Sequence, residues 1–413
     1  MNKKRFVTLS ASILCLALVL TACTTSTDSL PTATSTLINP TDVVHRETPP
    51  TDTQEPQIAT PTSAPIKAET PQDMPLSASF PLSEPGPYYT GNREIKLVDQ
   101  ARGGREVTVT IWYPALEEKD ADGRTIRHNA KADMSGAPYP LILTGPNSGD
   151  KLFIAHLASY GFVTAIIRFP DMDYGSNWDF GVIDHPLDML FALDQIATNQ
   201  PEGLVGVIDT DHTGVTGYSW DGFFSLVLSG VRIDPVYYLA HCANPPLIEP
   251  AMGTDRYLAM TCSLADNWDE FTQHVGEEIT ASSDGLWQPV TDERIRAVLP
   301  MAPDGAWLYG EQGLAAADRP VSLIAPTNDE YIPYQVETKF IFENLGAAEK
   351  SMISFIDKTH MMVFDPPQAA QLKHFAVAYF GYYLQGIEEY KEYFSEDFIS
   401  QFPDLAWGFY SGE

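Results

Sequence analysis

The segment TGYSWDGFFS, residues 216–225, places Ser219 between a run typical of a β-strand and a run typical of a helix. A tight turn from strand to helix projects a serine hydroxyl from the top of a sheet, with the helix N-terminus behind it to stabilise negative charge. Such a serine is suited to nucleophilic attack, and small neighbours let strand and helix cross closely. Gly217 meets this requirement on one side. On the other side Asp221 stands two residues after the serine, and Gly222 comes one residue late.

A serine hydroxyl becomes a strong nucleophile when a histidine accepts its proton, and that histidine needs an acid to orient it. In sheets with a turn of this kind the chain order is serine, acid, histidine. Asp329 ends the apolar run SLIAPTND, and His360 follows 31 residues later, before the last helical segment. This order predicts a catalytic triad of Ser219, Asp329 and His360. The alternative interpretation is a solvated loop aspartate and a surface histidine.

Apolar runs and helical periodicities alternate along the chain around these residues. The run REVTVTIWYPA (Arg105 to Ala115) alternates as an antiparallel strand does, whereas YPLILTGP, FVTAIIRFP, RIRAVLPMAP and PVSLIAPTND are continuous, as buried parallel strands usually are. Helical patterns occur in KLFIAHLASYG, in HPLDMLFALDQIATNQ with Pro186 at its start, and in residues 368–385. The alternation predicts an α/β fold in which helices cover both faces of a mostly parallel sheet. Residues 79–413 are predicted as one domain, with a small cap at residues 242–289.

The first 22 residues have the composition of a targeting segment. Three basic residues at positions 3–5 precede an apolar stretch of about 15 residues, which is too short for a comfortable membrane span. The stretch ends in Leu-Thr-Ala-Cys, and this resembles the bacterial lipobox, in which the chain is cut before a cysteine that carries lipids. We predict an exported protein anchored through Cys23 to the extracytoplasmic face of a bacterial membrane. An ordinary signal peptide is the alternative.

Residues 24–78 are of low complexity, since 22 of these 55 residues are Thr or Pro, and we predict a disordered tether. Without residues 1–22 the chain has 22 basic against 55 acidic residues, a net charge of −33. Such acidity argues against partners such as nucleic acid or anionic lipid surfaces, so the predicted membrane contact is the lipid anchor alone. Cys15 would leave with the signal. Cys242 and Cys262 are predicted to form a disulfide in an oxidising compartment, with two buried thiols as the alternative.

Seven segments resemble, in order and from about residue 86 to residue 385, the predicted dienelactone hydrolase and platelet-activating-factor acetylhydrolase-like branch of the α/β-hydrolases. They are TVTIWYPA, YPLILTGPNSG, LASYGFVTAIIRFP, HPLDMLFALDQI, GVTGYSWDGFFSLVLSG, PVSLIAPTNDEYIP and THMMVF. Bacterial polyester-degrading cutinases are more distantly similar. The resemblance implies an α/β-hydrolase fold and a serine carboxylic-ester hydrolase that works through an acyl-enzyme on a small-molecule or lipid-like ester. It assigns the nucleophile, acid and base to Ser219, Asp329 and His360, and one oxyanion donor to the backbone N–H of Trp220.

No H-E-x-x-H pattern, paired-cysteine spacing or carboxylate cluster in the sequence indicates a metal site, and we expect neither metal nor cofactor. We also expect a monomer. Animal members of the acetylhydrolase group carry the acid one strand earlier, in an Asp-Ala-Trp context, and APDGAW offers Asp304 as the alternative acid.

The loop after the strand YPLILT departs from the family pattern. The family has His-Gly followed by a residue whose N–H donates to the oxyanion, whereas here Thr-Gly is followed by Pro146, which has no N–H. We therefore predict that Asn147 supplies the second donor through its backbone N–H, its side-chain amide or both. Because Pro146 and Asp221 both alter positions that the chemistry uses, a catalytically degenerate fold that binds a ligand or a surface is the alternative function. A peptidase on the same fold is a third hypothesis.

Overall fold

The computed structural model describes residues 79–147, 151–171, 178–247 and 253–412. The predicted targeting segment, the predicted lipidation site Cys23 and the predicted tether lie outside these residues. Within the described part of the chain, no helix combines the length and the apolar composition that a membrane crossing requires.

Nine strands form one mixed sheet in the order β1-β2-β4-β3-β5-β6-β7-β8-β9. Their bounds are β1 Tyr89–Asp99, β2 Arg105–Ala115, β3 Tyr139–Thr144, β4 Val163–Arg168, β5 Ile208–Tyr218, β6 Ile295–Met301, β7 Val321–Pro326, β8 Lys350–Phe355 and β9 Leu405–Trp407. The strands from β4 to β8 in this order pair in parallel, and β1, β2 and β9 pair antiparallel at the two sides. Every residue of β3 and β7 is buried, as their continuous apolar runs predict. The predicted α/β class with a mostly parallel sheet is confirmed.

Helices connect the strands and cover the sheet. They are α1 Lys151–Ser159, α2 Trp178–Thr198, α3 Trp220–Val227, α4 Pro235–Ala243, α5 Thr254–Thr261, α6 Trp268–Val275, α7 Glu277–Thr280, α8 Ala306–Leu314, α9 Thr338–Asn344, α10 Pro366–Gln385 and α11 Glu396–Ile399. Short 3₁₀ turns occur at Pro81–Ser83, Ser263–Asn267, His360–Phe364 and Glu388–Phe394.

The predicted start of α2 at Pro186 is wrong, because Pro186 lies inside this helix. An internal proline removes one backbone hydrogen bond and costs about 3 kcal/mol. Val182 and Ile183, in the helical turn before Pro186, are buried in the main core, which is the apolar core on the α2 side of the sheet. Burial of these side chains offsets the cost, so tertiary packing overrides the local preference of proline for a helix start.

Each face of the sheet has its own apolar core. Side chains of α2, α3, α8 and α9 form the main core on one face, and side chains of α1, α10 and the residues around Phe80 form the second core on the other. The side chains of β3 alternate between the two cores, since Leu141 and Leu143 face the main core and Ile142 faces the second core. The carboxyl ends of the parallel strands therefore meet at one edge, between two helical layers.

Residues 242–289, predicted as a cap, contain the end of α4 and the helices α5, α6 and α7, and they precede β6. The segment shares the main core, because Trp268, Phe271 and Trp287 pack against one another with ring centroids 5.3–5.5 Å apart. A disulfide joins Cys242 to Cys262, with Cα atoms 5.6 Å apart.

Candidate active site

Ser219 lies at the junction of β5 and α3, with φ 60° and ψ −122°. A positive φ is uncommon for a residue with a Cβ and costs roughly 1–3 kcal/mol unless the surroundings enforce it. Here the Ser219 N–H donates to the Met301 carbonyl at 2.9 Å. A Cβ at Gly217 would lie 2.3 Å from the Asp221 carbonyl oxygen, and one at Gly222 would lie 2.5 Å from the Met301 carbonyl oxygen. The turn is thus held by β6 and by two glycines that cannot be replaced without movement.

Asp221, the departure from the usual glycine, is fully buried. Its carboxylate packs on Gly145, where a Cβ would lie 2.2 Å from the Asp221 Oδ1. The close crossing of α3 and β6 occurs at Gly222 instead, one residue later than in the usual pattern. The aspartate is therefore compatible with the turn, provided that residue 145 has no side chain.

His360 begins the 3₁₀ turn after β8 and contacts both predicted partners. Its Nε2 lies 2.8 Å from the Ser219 Oγ, and its Nδ1 lies 2.7 Å from the Asp329 Oδ2. Because a carboxylate accepts, Nδ1 carries the proton and Nε2 accepts from the serine hydroxyl. The His360 side chain is 10% exposed and that of Asp329 is 2% exposed. The structure brings together the three residues that the sequence order selected.

The Asp329 carboxylate is held by its own loop, directly after β7. Its Oδ1 accepts from the backbone N–H of Tyr331 at 2.8 Å and of Ile332 at 2.7 Å. The Asn328 N–H donates to the Lys358 carbonyl at 2.9 Å, which ties this loop to the segment that leads into His360. Hydrogen bonds on both oxygens therefore fix the orientation of the Asp329 carboxylate toward His360.

Two further side chains hold the backbone of His360. Its N–H donates to the Glu330 carboxylate at 2.8 Å, and its carbonyl accepts from the Tyr218 hydroxyl at 2.6 Å. Burial, together with the charges of Asp329 and Glu330, raises the pKa of Tyr218 well above its usual value, so the phenol remains a donor. Sequence reasoning missed these roles, although both residues are direct neighbours of triad members.

Asp304, the alternative acid, lies in the loop after β6 and is 3% exposed. In the described part of the structure it makes no hydrogen bond with His360, and its Oδ1 has no hydrogen-bond partner. Burial raises the pKa of its carboxyl to about 7. The histidine is therefore paired with Asp329 and not with Asp304.

The predicted oxyanion donors lie in the segments that follow β5 and β3. Trp220 is the first residue of α3. Asn147 lies in the turn directly after β3, and the contact of Gly145 with Asp221 places this turn against the start of α3. Trp220 thus follows Ser219 directly, and the turn that carries Asn147 contacts the first turn of the same helix.

A cavity of about 720 Å³ lies between the turn after β3 and the segment after His360. Apolar side chains dominate its wall, which includes Pro146, Phe153, Val363, Phe364 and Leu372. Trp307 is 2% exposed and stacks on Phe223, so it belongs to the core and not to the wall of this cavity.

Comparison of the chain with protein-family models gives no match, and comparison with curated proteins gives none either. Among the described residues, no group of three or more His, Cys, Asp or Glu side chains is arranged to hold a metal ion.

Proposed function

We propose that residues 79–413 are an α/β-hydrolase-fold serine hydrolase that cleaves carboxylic esters. The observation that carries the proposal is the hydrogen-bonded chain from Ser219 through His360 to Asp329, with heavy-atom distances of 2.8 and 2.7 Å. The positive φ of Ser219 at a strand-to-helix turn supports it, because this conformation exposes a nucleophile at the carboxyl edge of a parallel sheet.

In the proposed reaction, His360 Nε2 accepts the Ser219 proton as Oγ attacks the ester carbonyl carbon. The oxyanion of the tetrahedral intermediate would accept hydrogen bonds from the Trp220 N–H and from Asn147. His360 then donates its proton to the departing alkoxide, leaving an alcohol and an acyl-serine.

Water completes the cycle by the same route in reverse. His360 accepts a proton from water as the water oxygen attacks the acyl carbon, and it returns that proton to Ser219 Oγ when the acid leaves. Throughout, the Asp329 carboxylate fixes the imidazole tautomer and stabilises the imidazolium. Two backbone N–H groups on its Oδ1 keep this carboxylate in place during the reaction.

We propose the cavity beside Asn147 as the site for the apolar part of the substrate. It is bounded by the turn that carries a proposed oxyanion donor and by Val363 and Phe364, which follow the base by three and four residues. Binding of a hydrocarbon group against this apolar wall is favoured by about 25 cal/mol for each Å² of apolar surface that is removed from water.

The direct test uses p-nitrophenyl esters of increasing acyl length together with a fluorophosphonate probe. We expect hydrolysis of at least one ester and covalent labelling at Ser219, with both lost in Ser219→Ala. A folded protein that hydrolyses no ester and takes no label would overturn the proposal and favour a binding module on the same fold. Faster turnover of peptides than of esters would favour a peptidase.

We also propose, from the sequence alone, that the protein is exported and held at a membrane by lipids on Cys23. The supporting feature is the Leu-Thr-Ala-Cys end of the apolar segment. Expression with an alkyne fatty acid should label the wild type and not Cys23→Ser, and the variant should leave the membrane fraction. Equal labelling of both proteins would contradict the anchor.

A further inference from the structure

Helix α5 has little packing of its own. It is eight residues long, and its buried residues are Tyr257 and Thr261. Isolated helices of this length are not stable in water, so contacts with the rest of the domain must hold it. Its C-cap residue is Cys262, and the bond to Cys242 fixes that end next to α4.

Two consecutive residues of α5 contact the loop that carries the proposed catalytic acid. The Arg256 guanidinium lies 5.2 Å from the ring centroid of Tyr331. The Tyr257 hydroxyl donates to the Glu337 carboxylate, and both side chains are buried. Residues 329–337 thus meet α5 near their start and at their end.

Tyr331 links α5 to both partners of Ser219. Its backbone N–H donates to the Asp329 Oδ1 at 2.8 Å, and its ring meets the His360 ring edge-on, with centroids 5.2 Å apart. A shift of Tyr331 would therefore move the acid and alter the packing of the base. Arg256 stacks on this ring from α5.

Glu337 fixes the other end of the loop. Its second carboxylate oxygen accepts from the N–H groups of Gly305 and Ala306, at 3.0 and 2.9 Å, at the start of α8. Burial, and then the charge of the neighbouring Asp304, raises the pKa of Glu337 above its ordinary value. The three hydrogen-bond donors offset part of the free-energy cost of burying the Glu337 carboxylate, and one of these donors, the Tyr257 hydroxyl, comes from α5.

We propose that α5 is a positioning element for the triad, so that turnover depends on Arg256, on Tyr257 and on the Cys242–Cys262 bond. Arg256 acts through Tyr331 and Tyr257 acts through Glu337, and together they hold Asp329 at hydrogen-bond distance from His360. The disulfide holds α5 itself. This inference rests on the proposed ester hydrolysis, since the groups that it positions are those of Ser219, His360 and Asp329.

Misplacement of a catalytic group by about 1 Å can cost roughly 100-fold in rate. We therefore expect Arg256→Ala and Tyr257→Phe each to lower kcat about 10-fold, and Cys242→Ser/Cys262→Ser roughly 100-fold, with KM within about two-fold of wild type. Arg256→Lys keeps a cation over the ring and should restore most of kcat.

Matched controls remove similar interactions elsewhere. Lys339→Ala removes a cation 4.5 Å above the Phe409 ring, and Tyr379→Phe removes a buried hydroxyl that donates to the Pro320 carbonyl. Both should leave kcat near the wild-type value. All variants are compared at a temperature where circular dichroism shows native folding.

Hydrogen–deuterium exchange of residues 327–337 gives a second measurement that needs no activity. We expect faster exchange in the Arg256, Tyr257 and double-cysteine variants, and in wild type treated with dithiothreitol, but not in the two controls. Unchanged exchange and unchanged kcat in folded variants would overturn the positioning role, as would a fall in kcat that the controls share. If wild type lacks esterase activity, the proposed function fails, and exchange alone still decides whether α5 holds the loop.

Discussion

Two buried histidine sites in this domain have opposite surroundings. His360 lies against the Asp329 carboxylate at the carboxyl edge of the sheet, where a positive charge on the imidazole has a partner. His156 and His374, on the second core, both form hydrogen bonds with the backbone of Leu82. The His156 Nε2–H donates to the Leu82 carbonyl at 2.8 Å, and the His374 Nδ1 accepts from the Leu82 N–H at 3.1 Å.

Among the described residues, neither His156 nor His374 forms an ion pair with a carboxylate. Around His374 lie the rings of Phe80, Tyr393 and Phe398, with centroids 4.8–5.5 Å from its own. Burial lowers the pKa of His156 to about 4, and burial with the charge of His156 lowers that of His374 to about 3. Burial therefore keeps the His156 and His374 rings neutral, whereas the His360 ring is oriented by the Asp329 carboxylate.

Removing the carboxylate at His360 should have the largest effect. Asp329→Asn keeps the size of the side chain but favours the wrong tautomer, and we expect kcat to fall by up to about 10⁴-fold in a folded protein. Asp304→Asn is the matched control and should change kcat by only a few-fold, because Asp304 does not bond to His360. Steady-state kinetics of both variants on one ester, with circular dichroism, make the measurement. The reverse ranking would identify Asp304 as the acid.

The proposed reaction also requires the edge of the sheet at His360 to stabilise a negative charge on the oxyanion. Asn147→Pro removes both donors that residue 147 offers, and we expect kcat to fall about 10²–10³-fold. Asn147→Ala should share this loss only if the side-chain amide is the donor. A kcat for Asn147→Pro within a few-fold of wild type, in a folded protein, would show that residue 147 stabilises no oxyanion.

The neutral histidines should make the domain sensitive to acid. Their pKa values in the folded state lie below the unfolded value of about 6.5, so the unfolded state binds more protons as the pH falls below 6.5. Their contribution to the free energy of unfolding is complete above about pH 6.5. It is lost as the pH falls, down to about pH 4 for His156 and about pH 3 for His374.

Urea unfolding at pH 7, 6 and 5 measures this loss. His374→Gln should give a flatter dependence of unfolding free energy on pH than wild type, without the loss of kcat that Asp329→Asn shows at pH 7. Equal slopes in wild type and variant would contradict the assignment of the acid sensitivity to this site.

The hydrogen-bonded trio of Ser219, His360 and Asp329 could be predicted from the sequence, because each residue stands at a recognisable position. Ser219 ends a strand and begins a helix, Asp329 follows a fully buried strand, and His360 precedes the longest late helical run. The order of the three residues along the chain then predicted that they lie together, without any distance being known. The side chains that hold them were not predicted, because Tyr218 and Glu330 act through the backbone of a residue more than 25 positions away.

Other elements carried weaker signals. Strand β1 was not predicted, since much of it is exposed or half-exposed at the side of the sheet and its sequence has no continuous apolar run. The three-residue β9 is too short for a periodic pattern. The hydrogen bonds of Leu82 with His156 and His374 were not predicted either. The two histidines belong to different helices and have no sequence motif, and only the tertiary fold brings them together.

The bond between Leu82 and His374 joins residues 292 positions apart, and Phe80 packs on Phe402 with ring centroids 4.5 Å apart. Contacts of such long range slow folding, because a large loop must close before they contribute any stability. The second core cannot be completed until the chain has been synthesised beyond α10. A polypeptide still growing on the ribosome would expose the unfinished second face of its sheet, and the two ends of the domain would meet only after synthesis has passed residue 402.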